Sequence, residues 1–150
     1  MKTIKQLLND NSKIHTVIGA NNALIAEIAY REGYDGVWVS SFESHAWNLL
    51  PDANILNTTD YFDTISKISD RIDIPILVDA DEGGPSSINT IRMVREYEKA
   101  GASAMCFEDN PSPKIGRASC RERVEIPVVA VALKNKKKKT QHACLLCVPY

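Results

Sequence analysis

The stretch PILVDADEGG, Pro75 to Gly84, sets an apolar run directly against two aspartates one residue apart, followed by two glycines. A short apolar run bounded by turn residues reads as a strand, and one without polar alternation reads as a strand buried on both faces of a parallel sheet. Carboxylates at the end of such a strand need a reason, because burying charge is costly unless the charge is partnered.

Working outward, the same unit recurs. Ile14 to Gly19 (IHTVIG) is a strand pattern closed by glycine. Asn21 or Asn22 caps a helix with Leu24, Ile25, Ile28 and Ala29 at helical spacing, and Gly33 ends it. Val37, Trp38 and Val39 form a second strand ending in Ser40 and Ser41. The segment FESHAWNLLPDANILNTTD, residues 42–60, is long for a connection and reads as a functional loop containing a helical turn. Thr58 or Thr59 caps a helix with Ile65, Ile68 and Ile72 along one side. After the DADEGG turn, Ser86 or Ser87 caps a helix carrying Ile91, Val94 and Tyr97; Gly101 stops it, and SAMCFED is a fourth strand.

Strand–helix alternation with apolar strands predicts a parallel α/β sheet. A doubly wound nucleotide-binding sheet calls for GxGxxG after the first strand, and none is present. Polar or small residues instead stand at the C-terminal end of every strand: Gly19-Ala20-Asn21, Ser40-Ser41, Asp79 and Asp81, Glu108-Asp109. That placement favours a (β/α)8 barrel, of which four units make the N-terminal half. The expected organisation is a truncated TIM-type barrel over residues 1–114, then a non-native basic tail.

Composition excludes little. The chain has 150 residues, 44% apolar and 25% charged, with a formal net charge of -1, which points to neither nucleic acid nor membrane. Cys106, Cys120, Cys144 and Cys147 suggest no disulfide framework, and CLLC with His142 alone is a poor zinc site. No apolar leader or membrane-length run is present, so a soluble cytoplasmic chain is expected.

After Lys114 the pattern fails. Ile126 to Leu133 is one plausible strand, followed by the lysine-rich run Lys134 to Lys139 and an apolar end. IGRASCRERV resembles the conceptual translation of a sequencing adapter, and the lysine run resembles translated poly-A. Residues 115–150 are therefore expected to be an artefactual or disordered tail, leaving the fourth strand as an open edge. The competing reading is a basic tail that contacts polyanions.

Asp79 and Asp81 lie two apart and share a face if the strand continues, while Glu108 and Asp109 end the next strand. Several hard oxygen ligands without a nearby histidine suit Mg²⁺ or Mn²⁺; the bland alternative is a solvated rim of helix-capping acids. Ser40, Ser41 and Phe42 can present backbone N–H groups to an anion, with Asn21 pointing into the same space. Asp52 is a loop acid able to close over the site. His45 has no evident acid partner, and His15, inside a strand, reads as a packing or rim residue.

ANNALIAEIAYREGYDGVWVSS (20–41), PILVDADEGG (75–84) and CFEDNPSPK (106–114), in that order, resemble the N-terminal part of the phosphoenolpyruvate mutase and isocitrate lyase superfamily. The resemblance implies a (β/α)8 barrel that binds Mg²⁺ and a small keto or enol acid, commonly as a homo-oligomer. It implies that Asp79 ligates the metal directly, that Asp81 and Glu108 hold it through water, and that Ser40, Ser41 and Phe42 bind substrate. Asp52 and Lys114 then match catalytic positions, Lys114 with Pro113 in a gating loop. For the mutase branch the implied reaction interconverts phosphoenolpyruvate and phosphonopyruvate, an isomerisation of phosphonate biosynthesis. The alternatives are a carbon–carbon lyase of the isocitrate or methylisocitrate type, or a truncated, inactive fragment. The chain departs from the family pattern at Asn110 for lysine, at Gly116 and Arg117 for asparagine and serine, and at DADEGGPS for DADTGYGN; KKCGH is absent.

Overall fold

A computed structural model describes residues 4–108, 129–132 and 144–147. In chain order the elements are α1 (Ile4–Asn9), β1 (Val17–Gly19), α2 (Ala23–Arg31), β2 (Gly36–Val39), α3 (Ser41–Trp47), α4 (Thr58–Ser69), β3 (Ile76–Asp79), α5 (Ser87–Ala100), β4 (Ala104–Phe107), β5 (Val129–Ala132) and β6 (Cys144–Cys147). The long segment after the second strand thus contains a seven-residue helix, α3, before the loop that carries Asp52.

The first four strands are parallel and lie in sequence order, β1-β2-β3-β4. A doubly wound sheet reverses its strand order near the middle, whereas a barrel adds each strand beside the last. The observed order is the barrel's. Parallel registers such as Val39↔Val78 and Asp79↔Cys106 bring all C-terminal strand ends to one edge of the sheet. The outer edge of β4 is not open, contrary to the expectation from sequence. β5 lies antiparallel along it, with Phe107 opposite Val129, and β6 lies antiparallel to β5. β5 falls within the expected strand Ile126 to Leu133, and CLLC forms β6.

Caps set the helix starts. Asn22 accepts from the Ile25 N–H at 3.0 Å and Ser86 accepts from the Asn89 N–H. At α4 the cap is Asn57, not Thr58 or Thr59. Its side chain accepts from the helix start while Asp60 reaches back to the Asn57 N–H at 2.8 Å, a reciprocal box that a threonine one residue later would not close.

The core forms where the sheet meets α2, α4 and α5. Val37, Val39, Val78 and Met105 from the strands, with Ile65, Ile68 and Tyr97 from the helices, are buried. α2 turns Ala26 and Ala29 inward and leaves Leu24 and Ile28 exposed; α5 likewise exposes Ile91. The rest of the expected stripe does face the core: Ile25 and Ala29 on α2, Val94 and Tyr97 on α5. Among the described residues no helix is long and apolar enough to cross a membrane.

Gly101 closes α5 in the left-handed region at φ 110°, and a Cβ there would stand 2.5 Å from Ser69 Cβ. Gly101→Ala is expected to lose about 1–2 kcal/mol from backbone conformation and about 1–3 kcal/mol more from the clash between α4 and α5. A urea midpoint equal to that of the unsubstituted chain would show this contact to be absent.

Candidate metal centre

At the C-terminal edge of the sheet, backbone bonds fix where the acids stand. Ala80 N–H donates to the Cys106 carbonyl at 2.9 Å, and Glu108 N–H donates to the Asp81 carbonyl at 2.7 Å. These bonds carry the β3–β4 pairing past the strands themselves. Asp81 takes a left-handed conformation, φ 46°, which aspartate tolerates better than most residues. Gly83 follows at φ 81° and donates to the Ala80 carbonyl, closing a turn in which any Cβ would press on the Phe107 ring at 3.0 Å. Thr90 Oγ1 donates to the Gly83 carbonyl and ties the turn to α5.

This backbone brings Asp79, Asp81 and Glu108 together: one carboxylate oxygen from each lies within 4.8 Å of the others. Asp79 is buried and the other two are half-buried. Ser41, from the start of α3, holds the pair of aspartates. Its N–H donates to Asp79 Oδ2 at 3.3 Å, and its hydroxyl lies 3.0 Å from both Asp79 Oδ2 and Asp81 Oδ1. Thus the Ser41 N–H faces a carboxylate of the protein and not, as expected from sequence, a substrate anion. Ser40 is the cap of α3, and Phe42 is exposed.

Burial first, and then the charge of Asp81, push the Asp79 carboxyl above its ordinary range, although the hydrogen bonds from Ser41 and the Asp81 N–H act in the opposite direction. Neighbouring Cys106 is held as a thiol, pushed up to about 11 by burial and then by Asp79 and Glu108. The three residues brought together, Asp79, Asp81 and Glu108, offer oxygen only, which fits a hard divalent cation such as Mg²⁺ or Mn²⁺. A cavity of about 250 Å³ adjoins the trio, lined by Asp79, Asp81, Asn54, Tyr61, Met93 and Tyr97. Burial, followed by the charge of Asp81, raises both tyrosine hydroxyls and keeps them protonated.

Asp52 lies on the loop between α3 and α4, half-buried, with Oδ1 3.8 Å from Nδ1 of the fully buried His45. His45 therefore has the acid neighbour that sequence did not reveal. Asn54, also left-handed at φ 55°, donates from Nδ2 to Glu82 Oε2 at 2.5 Å and links the Asp52 loop to the DADEGG turn. Neither Asn54 nor Glu82 was singled out by sequence; only their place beside Asp52 and Asp81 hinted at them. Asn21 borders a separate cavity with Trp47, Thr59 and Lys67 instead of the acidic one. His15 precedes β1, at the opposite edge of the sheet, where its Nδ1 is 3.4 Å from Asp35. Asp109, Pro113 and Lys114 lie outside the described residues.

A family model described as phosphoenolpyruvate phosphomutase matches residues 4–147. The phosphonopyruvate hydrolase of Variovorax sp. (strain Pal2) is 37% identical over 105 residues, covering 70% of this chain and 36% of that protein. The 2,3-dimethylmalate lyase of Eubacterium barkeri is 33% identical over 112 residues, covering 74% of this chain and 38% of that protein. The crystal structure of a phosphonopyruvate hydrolase complexed with oxalate and Mg²⁺ superposes with a TM-score of 0.69 at 36% identity, over 75% of this chain and 41% of that one. The chain spans a little over a third of the length of the curated relatives it matches.

The raised Asp79 carboxyl has a definite sign. The folded state holds this proton more tightly than the unfolded state, so ionisation opposes folding, and stability falls as pH rises through and above the ordinary value of 3.8. In metal-free buffer at neutral pH, Asp79→Asn is expected to melt higher than the unsubstituted chain. With saturating Mg²⁺ or Mn²⁺ the order should reverse, because only the carboxylate gains from the cation. Thermal midpoints in chelator and in metal check both halves; a cation that leaves the order unchanged contradicts the site.

Proposed function

Because the chain belongs to the phosphoenolpyruvate phosphomutase family, we propose that it supplies the metal-binding part of a Mg²⁺-dependent active site that interconverts phosphonopyruvate and phosphoenolpyruvate. The observation that carries this reading is the convergence of Asp79, Asp81 and Glu108 within 4.8 Å at the C-terminal edge of a barrel-ordered parallel sheet.

In this reading Asp79, Asp81 and Glu108 would hold Mg²⁺, Asp79 directly and the other two through water. When bound, the ion supplies Lewis-acid stabilisation of negative charge on the substrate's oxygens. The chain's own residues do the rest. Ser41 fixes the two aspartates in one orientation, and Ser40 and Phe42 border the substrate's carboxylate end. Asp52 would stand beside the transferring phosphoryl group, and Lys114, by its match to the family's PK pair, would act as a catalytic residue. Phosphoryl transfer depends chiefly on positioning and charge stabilisation, so a rigid acidic cradle with a covering loop suits it. Exclusion of water decides the outcome, because a phosphoryl group captured by water gives hydrolysis instead of isomerisation.

Hydrolysis is the second reading, favoured by the 37% identity to a phosphonopyruvate hydrolase. Cleavage of a carbon–carbon bond in a substituted malate is a third, raised by the 33% identity to a 2,3-dimethylmalate lyase. We further propose that the native barrel sequence gives way near Ile115 to a stretch foreign to the fold, a reading supported by the end of parallel strand order at β4. Sequencing the transcript across the codons for Pro113 to Arg123 tests it, and the same junction in genomic DNA overturns it.

Incubation with phosphonopyruvate and Mg²⁺, followed by phosphorus NMR, separates the reactions. Phosphoenolpyruvate supports the mutase; inorganic phosphate with pyruvate selects the hydrolase; cleavage of 2,3-dimethylmalate without either sinks the phosphonate reading. No turnover by the 150-residue chain, with turnover by the product of the resequenced transcript, identifies the chain as an inactive fragment. In whichever protein turns over, Asp52→Ala is expected to lower kcat by roughly 10²-fold or more, with a smaller change in KM.

A further inference from the structure

We propose that His45 is a positioning residue: a buried neutral imidazole that clips the Asp52 loop to Ser41, and through Ser41 to the metal carboxylates. The ring is fully enclosed, at 1% exposure. Its Nε2 lies 3.0 Å from the Ile55 nitrogen and 3.3 Å from the Leu56 nitrogen. Both are backbone N–H groups, able only to donate, so Nε2 must accept and carries no proton. Its Nδ1 lies 2.7 Å from the Ser41 carbonyl, which only accepts, so Nδ1 must carry the proton. One tautomer satisfies all three contacts. The other sets lone pair against lone pair at Ser41 and proton against proton at Ile55.

The consequence is mechanical. Ser41 bridges Asp79 and Asp81 through its hydroxyl, and the same residue's carbonyl receives the His45 proton. The far side of the ring takes two N–H groups from the chain three and four residues beyond Asp52. His45 is therefore the joint between the carboxylate cradle and the loop acid. At 3.8 Å the Asp52 carboxylate is beyond hydrogen-bond reach of Nδ1, whose proton is already given to Ser41. The His45–Asp52 pair is thus not an acid–base relay; the imidazole sets where Asp52 sits.

The role of that placement in catalysis rests on the reading of Asp52 given above, but the joint itself can be tested without turnover. Glutamine keeps an acceptor near the position of Nε2, whereas asparagine keeps a donor near Nδ1 and has nothing to offer Ile55 and Leu56. Amide hydrogen exchange at Ile55 and Leu56 is expected to quicken roughly tenfold or more in His45→Asn, and to stay within about threefold of the unsubstituted chain in His45→Gln. Mn²⁺ affinity, measured by electron paramagnetic resonance, should hold within about threefold in both. Equal exchange in the two variants overturns the proposal. So does nitrogen NMR of the unsubstituted chain showing the proton on Nε2, a measurement that needs no variant to fold. In a form that turns over phosphonopyruvate, His45→Asn should lower kcat more than it changes KM, with recovery in His45→Gln. If exchange behaves as expected and kcat does not, the joint stands and the role of Asp52 falls.

Discussion

Asp79 and Glu108 close neighbouring parallel strands, and the pairing of Asp79 with Cys106 leaves Glu108 just beyond the end of the ladder, beside the turn that holds Asp81. Three carboxylates that would repel one another are placed there by backbone hydrogen bonds which no side-chain movement can release. The stability for this comes from elsewhere, from the apolar interface of the sheet with α2, α4 and α5. An acidic cluster imposed by a ladder is preorganised: a cation meets ligands already in place and spends little of its binding energy on ordering them. The raised Asp79 carboxyl is the energetic trace of that arrangement, since burial and like charge both act against its ionised form when nothing positive is near.

Ser41 gives the cradle its direction. A hydroxyl proton shared between two aspartate oxygens orients both, and the Ser41 N–H at the start of α3 adds a second bond to Asp79. α3 begins directly after β2, so the residue following one strand braces the residue ending the next. The arrangement uses the βα unit as a bracket: a strand delivers the acid, and the neighbouring helix start supplies the donor.

Much of this was written in the local pattern. Apolar runs at Val37–Val39, Ile76–Val78 and Ala104–Phe107 have the density of strands buried on both faces, and acids at a strand end stand out because they are costly there. Asp79, Asp81 and Glu108 were found for that reason. The caps were less plain. Asn57 and Thr58 both suit the start of a helix, and only the reach of Asp60 back to the Asn57 N–H separates them. The helix faces were legible in part: Ala29, Ile25, Val94 and Tyr97 do meet the core, whereas Leu24, Ile28 and Ile91 are exposed and Ala26 takes an inward place on α2. The His45–Asp52 neighbourhood was not visible at all. It arises from a loop whose left-handed positions fall at Leu49 and Asn54, residues without the glycine that usually marks such turns. β5 was recognised as a strand, but its antiparallel direction depends on chain geometry that an apolar run does not encode.

That direction has a topological consequence. One side of β4 pairs with β3, and the other side pairs with β5. A ring of eight parallel strands needs that second side for its own fifth member, and a ladder of backbone donors and acceptors admits one neighbour at a time. The antiparallel hairpin of β5 and β6 and a closed cylinder are therefore rival occupants of the same row of amide groups. The two cannot share that side of β4.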